Sequence, residues 1–260
     1  MKQRLKIFVS IRSNSKLIQQ EKAGTIYFMN TSDVANKNAI VITVDGPSGA
    51  GKGTTCQMLA DKLGFYILDS GALYRLTALA AMQKNVDIAD VLSVTKIAAQ
   101  LDIAFKTSPQ GLQTLLEGRD VSRDIRLEQT GMNASTVAAY EPVRAALLAR
   151  QRAFQQLPGL VADGRDMGTT VFPDATLKIF LTASAEERAQ RRYQQLIARG
   201  ESANLRAQLK DIIARDAADS NRASSPLKAA SDAIEIDSTT MPIQAVLDKI
   251  MWLYEQKQLR

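Results

Sequence analysis

The chain has 260 residues, 45% hydrophobic and 23% charged, a composition that fits a folded globular protein and excludes disordered and fibrous classes. It contains no histidine and one cysteine, Cys56. Ser/His/Asp hydrolysis, imidazole proton transfer and zinc sites built on His or Cys clusters are therefore excluded, and no internal disulfide can form. No apolar stretch approaches the roughly 18 residues of a membrane span, and the lone cysteine fits a reducing compartment.

The net charge of +6 is unevenly spread, because residues 1–28 hold six basic residues against Glu21 and the remaining 232 residues carry only +1. Such an arm suits a polyanion-binding tail or a transit segment. Alternatively, translation starts at Met29. Residues 1–37 are read as an extension, disordered or not translated, preceding a single domain over 38–260.

From residue 38 the pattern becomes regular. Residues 39–45 (Ala-Ile-Val-Ile-Thr-Val-Asp) form a β-branched apolar run, the mark of a strand buried on both faces. Helical spacing over 51–63 ends at Gly64, a short strand follows over 65–68, and helical spacing returns over 71–83. This β-loop-α-β-α order predicts an α/β fold with a parallel sheet. Residues 86–126 read as a small insert, with a helix near 90–101 and a hairpin of 103–106 and 112–116 around Ser108-Pro109-Gln110-Gly111. Helices are predicted over 127–139 and 142–156, strands over 160–162 and 177–182. Ser184-Ala185-Glu186-Glu187 is a capping box that opens a basic helix to about 198. A helix over 203–218, a strand over 233–236 and a helix over 242–257 complete the chain.

The segment Gly46-Pro47-Ser48-Gly49-Ala50-Gly51-Lys52-Gly53-Thr54 stands between the first strand and first helix. Glycines let consecutive backbone N–H groups approach a polyphosphate, the helix N-terminus adds its positive dipole end, and Lys52 places a cation on the β and γ phosphates. The usual hydroxyl after the lysine is replaced by Gly53, and Thr54 comes one residue late. No acidic cluster suggests a metal cage, so magnesium is expected to arrive with the nucleotide.

A phosphate loop alone does not separate kinases from GTPases or motor ATPases, but an Asn/Thr-Lys-x-Asp base-reading motif is missing. Arg75, Arg144, Arg165, Arg188, Arg191, Arg192, Arg215 and Arg222 stand near predicted element ends or on the basic helix, as a phosphoryl transfer between two anions requires. The chain resembles the bacterial cytidylate kinases over about residues 38–256. The likeness rests on Asp45–Thr54, on Leu68-Asp69-Ser70-Gly71-Ala72-Leu73-Tyr74-Arg75, and on Ala162-Asp163-Gly164-Arg165-Asp166-Met167-Gly168-Thr169. Val171–Ala175, Glu187–Arg192 and Arg215–Arg222 complete it.

The resemblance implies a P-loop kinase of three-layer α/β/α architecture. It further implies a five-stranded parallel sheet, an NMP-binding insert over about 86–126 and a helical lid over about 184–225. It implies transfer of phosphate from ATP to CMP or dCMP, Mg²⁺ carried by ATP, a monomer, a cytoplasmic location, and neither nucleic-acid nor membrane partners. Lys52, Arg165, Arg222 and Asp163 are then catalytic, and Gly46–Thr54 with Arg188 and Arg191 bind ATP. Ser70, Arg75, Ser135, Arg144, Asp163, Arg165, Asp166, Arg215, Asp219 and Arg222 bind the acceptor, with Asp166, Arg144 and Ser135 reading the cytosine edge. Other readings of the residues are a P-loop kinase for AMP, UMP or a small metabolite, and a nucleic-acid-binding ATPase using the basic arm.

Overall fold

The protein is represented by a computed structural model that describes residues 9–12, 27–30, 35–108 and 111–259. The expectation for the amino-terminal arm lies largely outside these residues. Within the arm the described pieces include two strands, β1 (Val9–Arg12) and β2 (Tyr27–Asn30). Then follow β3 (Ile40–Asp45), α1 (Lys52–Leu63), β4 (Tyr66–Asp69), α2 (Ser70–Gln83) and α3 (Val91–Ala99). Next come β5 (Ile103–Ser108), β6 (Gly111–Leu116), β7 (Arg119–Asp120), α4 (Glu128–Val137) and α5 (Glu141–Arg152). The chain continues through β8 (Gly159–Gly164), β9 (Leu177–Thr182), α6 (Ala185–Ala198), α7 (Leu205–Asn221), β10 (Ile234–Asp237) and α8 (Ile243–Gln258). Every strand and helix expected from residue 38 onward is present. Three features add to the expectation: β7, a single 3₁₀ turn at Asp124–Arg126, and a π-helical turn at Met167–Val171.

The chain divides into two compact units, one of Asn38–Asp69 with Leu157–Arg260, the other of Ser70–Gln156 with the arm. The first unit is built on a five-stranded sheet in the order β10-β9-β3-β8-β4, with every neighbouring pair parallel. Its central strand is β3, buried at every residue but Ile40, as its β-branched sequence requires. Ile42, Val44, Leu59, Val161, Ile179, Leu181, Ile236, Val246, Leu247 and Ile250 form the core, so α1 and α8 bury their apolar sides against the sheet. Asp45 is level with Gly164 of β8 and Phe180 of β9. The segments leaving β3, β8 and β9 consequently open along one carboxyl edge, where ligands bind in such sheets.

In the second unit α2 packs on α4 and α3 on α5. Strands β5, β6 and β7 form an antiparallel meander, and β1 joins it antiparallel to β5 with β2 parallel beyond. Buried Arg150 ties α5 to the end of α3, its Nη1 donating to the Leu101 carbonyl at 2.6 Å.

Candidate active site

Residues 46–51 form a tight loop between β3 and α1. Gly46 has φ +146°, and a Cβ built there would run into the Leu181 carbonyl oxygen of β9, so only glycine fits. Gly51 at φ +94° turns the chain into α1. Lys52, the first residue of that helix, curls back over the loop: its Nζ donates to the Pro47 carbonyl at 2.9 Å and lies 3.9 Å from Asp163 Oδ1. Both side chains are buried. Burial, reinforced by repulsion from Arg165, holds the Lys52 ammonium below its ordinary value. Burial also raises the Asp163 carboxyl, an effect that the Lys52 charge opposes. The pair places a buried cation and a carboxyl directly at the phosphate loop.

The end of β8 and the helix α7 supply the remaining charged groups of this unit. Asp219, buried on α7, accepts from Arg165 Nε at 2.9 Å and lies 3.8 Å from Arg222 Nη1. Arg222 Nε also donates to the Ser225 carbonyl at 2.6 Å. One carboxylate thus aims two guanidinium groups, a fixed arrangement of forked donors suited to phosphate oxygens. Arg215 is half-buried one turn before Asp219. Asp166 is only 3% exposed and stands at the head of the π-helical turn.

Helix α6 begins as its capping box predicts, with Ser184 Oγ accepting from the Glu187 N–H at 3.1 Å. Arg188 is buried and forms a bidentate pair with Asp216 of α7, at 3.0 and 2.6 Å. It donates as well to the carbonyls of Ser48 and Ala183, at 3.1 and 2.9 Å. Arg191 bonds Glu187 at 2.8 Å and the Ser238 carbonyl at 2.6 Å, and its Nη1 reaches the Ala50 carbonyl at 3.4 Å. Both arginines expected at ATP therefore grip the phosphate loop through its backbone carbonyls. Thr54 is exposed on α1.

The second unit brings together a separate set. Arg75 of α2 donates from Nη1 to the Ile125 carbonyl at 2.9 Å, and its guanidinium lies against Gly131 of α4, 2.9 Å from where a Cβ would stand. Ser135 Oγ donates to the Gly131 carbonyl at 3.1 Å, so Arg75 and Ser135 meet at this glycine. Arg144 of α5 donates to the Ala138 carbonyl at 3.1 Å and lies 5.6 Å from the centroid of the Tyr74 ring. Ser70 is buried at the start of α2.

One residue of this region carries no role in the sequence reading. Asp45, quoted there only as the start of the loop motif, accepts from the backbone N–H of Met167 at 2.8 Å and of Gly168 at 2.7 Å. Its partners lie 122 and 123 residues later, beyond any local pattern; the only sequence signal is an aspartate ending an otherwise apolar strand.

No group of three His, Cys, Asp or Glu side chains fit to hold a metal occurs among the described residues. Gly53 offers no hydroxyl, and Asp163 Oδ2 lies 3.6 Å from where its Cβ would be. An oxygen-bearing side chain, Asp163, thus lies beside the start of α1, which is compatible with a cation carried in by a polyphosphate. No described helix is long and apolar enough to cross a membrane.

The cytidylate kinase family model matches residues 42–256. A cytidylate kinase of Pseudomonas syringae pv. tomato is 59% identical over 184 residues, 70% of this chain and 80% of that protein. The cytidylate kinase of Aeromonas salmonicida is 57% identical over 183 residues, with the same coverage. A solved gluconokinase from Sinorhizobium meliloti is a distant likeness, with TM-score 0.43 and 13% identity over 85% of this chain and 94% of that one. A phosphate loop with its lysine is shared by many nucleotide-binding proteins. The family match over 42–256 selects among them: this chain belongs to the cytidylate kinase family.

Proposed function

We propose how this chain carries out the reaction of its family, phosphoryl transfer from ATP to CMP or dCMP giving ADP and CDP or dCDP. An oxygen of the acceptor's phosphate forms the new bond to the γ-phosphorus, and the bond from that phosphorus to the β,γ-bridging oxygen breaks, leaving ADP. The acceptor oxygen is already anionic, so positioning and charge neutralisation suffice and no strong base is needed. The loop 46–54 cradles the ATP phosphates, and Lys52 offsets the charge that shifts onto the β and γ oxygens. Mg²⁺ bound with ATP would supply charge neutralisation at the phosphates, and Asp163 would orient the arginines or a water held by that ion. Arg165 and Arg222, aimed by Asp219, hold the transferred group, while Arg75 grips the acceptor phosphate and Ser70 lines its pocket. Arg215 and Asp219 approach the sugar. Helices α6 and α7 act as a lid that excludes water, with Arg188 and Arg191 at its ATP side.

Asp166 accepts from the cytosine 4-amino group, with Arg144 and Ser135 at the rest of that edge. Its place beside Arg165, whose guanidinium Asp219 holds, carries this assignment, since a carboxylate accepts from the cytosine 4-amino group and uracil offers a carbonyl there. We read the enzyme as a cytoplasmic monomer without nucleic-acid or membrane partners, and the net charge of only +1 beyond residue 28 supports the absence of a nucleic-acid partner. The test is ADP release with ATP and CMP, dCMP, UMP, AMP or GMP. CMP and dCMP are expected to dominate, and Asp166→Asn, whose amide can donate to the uracil carbonyl, to lower kcat/KM for CMP by about 10- to 100-fold while raising UMP. Unchanged CMP kinetics in that variant would remove Asp166 from the base-reading role.

A further inference from the structure

The dipeptide Arg165-Asp166 is bracketed by backbone constraints on both sides. Before it, the parallel ladder ends where Gly164 lies opposite Asp45. After it, both oxygens of the Asp45 carboxylate are used, one on the Met167 N–H and one on the Gly168 N–H. These are the first two donors of the π-helical turn, and Thr170 and Val171 close that turn by donating to the Asp166 carbonyl at 2.9 and 3.2 Å. An aspartate at the head of a turn ordinarily folds its own side chain onto such donors. Asp166 makes no cap bond to the turn.

We infer that Asp45 is a positioning residue for acceptor specificity: by capping the turn from a different strand it replaces the cap Asp166 would supply, and so orients the Asp166 carboxylate toward the base. The inference rests on the base-reading role proposed for Asp166. Asp45 is 5% exposed, and Gly168 is packed so closely that a Cβ there would stand 3.0 Å from Thr43 Oγ1, which leaves the turn little room to shift. The charged groups acting on Asp45 are Asp166 and Asp163, which repel it, and Lys52, which attracts it. Burial above all raises its carboxyl to about 6, so it is ionised and accepts both bonds at neutral pH.

The experiment compares kcat/KM for CMP with that for UMP in wild type, Asp45→Asn, Asp166→Asn and the double variant, with KM for ATP as control. Asn in place of Asp45 keeps one acceptor and sets an N–H₂ against the second N–H. The expected result is a CMP-over-UMP ratio about tenfold lower in Asp45→Asn, mainly through KM for CMP, with KM for ATP unchanged and no further loss in the double variant. A ratio equal to wild type in Asp45→Asn, with Asp166→Asn lowering it, overturns the inference and leaves the base reading standing. A ratio unchanged in both variants overturns the base reading itself. Should the Asp45 variants not fold, Gly168→Ala, whose added methyl would press on Thr43 Oγ1 and shift the same turn, is expected to lower the CMP-over-UMP ratio several-fold, and a ratio equal to wild type in that variant overturns the inference.

Discussion

At the scale of single residues the site is governed by what burial does to charge. Lys52 has one strong fixed partner, the Pro47 carbonyl, and a looser one, Asp163 at 3.9 Å. A cation so poorly compensated is held ready for a polyphosphate, because incoming anionic oxygens supply the charge its pocket lacks. Replacing Lys52 by Ala is therefore expected to lower kcat by about 10²- to 10³-fold, the usual loss when a preorganised charge at a transition state is removed. KM for the acceptor should change far less. Steady-state kinetics at saturating ATP check this. Asp219 acts differently: its two oxygens are already divided between Arg165 and Arg222, so it sets direction for both cations.

Among the elements, α4 links local sequence most directly to the place of Arg75, the side chain proposed to grip the acceptor phosphate. Gly131 lies inside this helix, where alanine would be about 1 kcal/mol better for helix formation. Its bareness is explained by Arg75, whose Nη1 stands 2.9 Å from the missing Cβ. Gly131→Ala is expected to leave thermal stability equal or higher, since a flexible guanidinium can move aside, and to raise KM for CMP several-fold by moving it. Melting curves and acceptor titrations separate the two effects.

The elements also differ in how plainly the sequence announced them. Strand β3 was legible because a run such as Ile40–Val44 has no other stable use than a buried strand, and α1 because its flanking glycines punctuate it. Strand β7 was not, since Arg119 and Asp120 are both exposed and show no alternation. The π-helical turn was not, because a carboxylate 122 residues earlier fixes it. The site residues were located by motif, but their partners were not. That Arg188 binds Asp216 and the Ser48 carbonyl depends on how α6, α7 and the loop pack, which spacing along the chain does not encode.

For the whole molecule, the buried carboxylates make stability run opposite to the common trend in mildly acid solution. Asp45 keeps its proton up to about pH 6 when folded and releases it near 3.8 when unfolded. Between those values the folded state binds more protons, so stability falls as pH rises through this window. Asp163 is raised in the same direction. With no histidine in the chain, no imidazole titrates there to mask the effect. Urea unfolding is expected to show stability greater at about pH 5 than at about pH 7.5 by about 1–2 kcal/mol, and Asp45→Asn to reduce the difference while Asp163 keeps its share.

The discontinuity of the sheet unit bears on how the protein is made. Among the described strands, β3 pairs with β8 and β9, and β4 with β8. Residues 38–69 therefore leave the ribosome with no strand to pair with until the segment starting at Gly159 follows. Meanwhile 70–156 carries its own helix pairs and meander and can condense as it emerges. The phosphate loop, though encoded early, is among the last parts to acquire its shape, since Gly46 packs directly on the Leu181 carbonyl of β9. A nascent or truncated chain ending before β8 has the full loop motif and no nucleotide site, with an apolar strand open to intermolecular pairing on both edges.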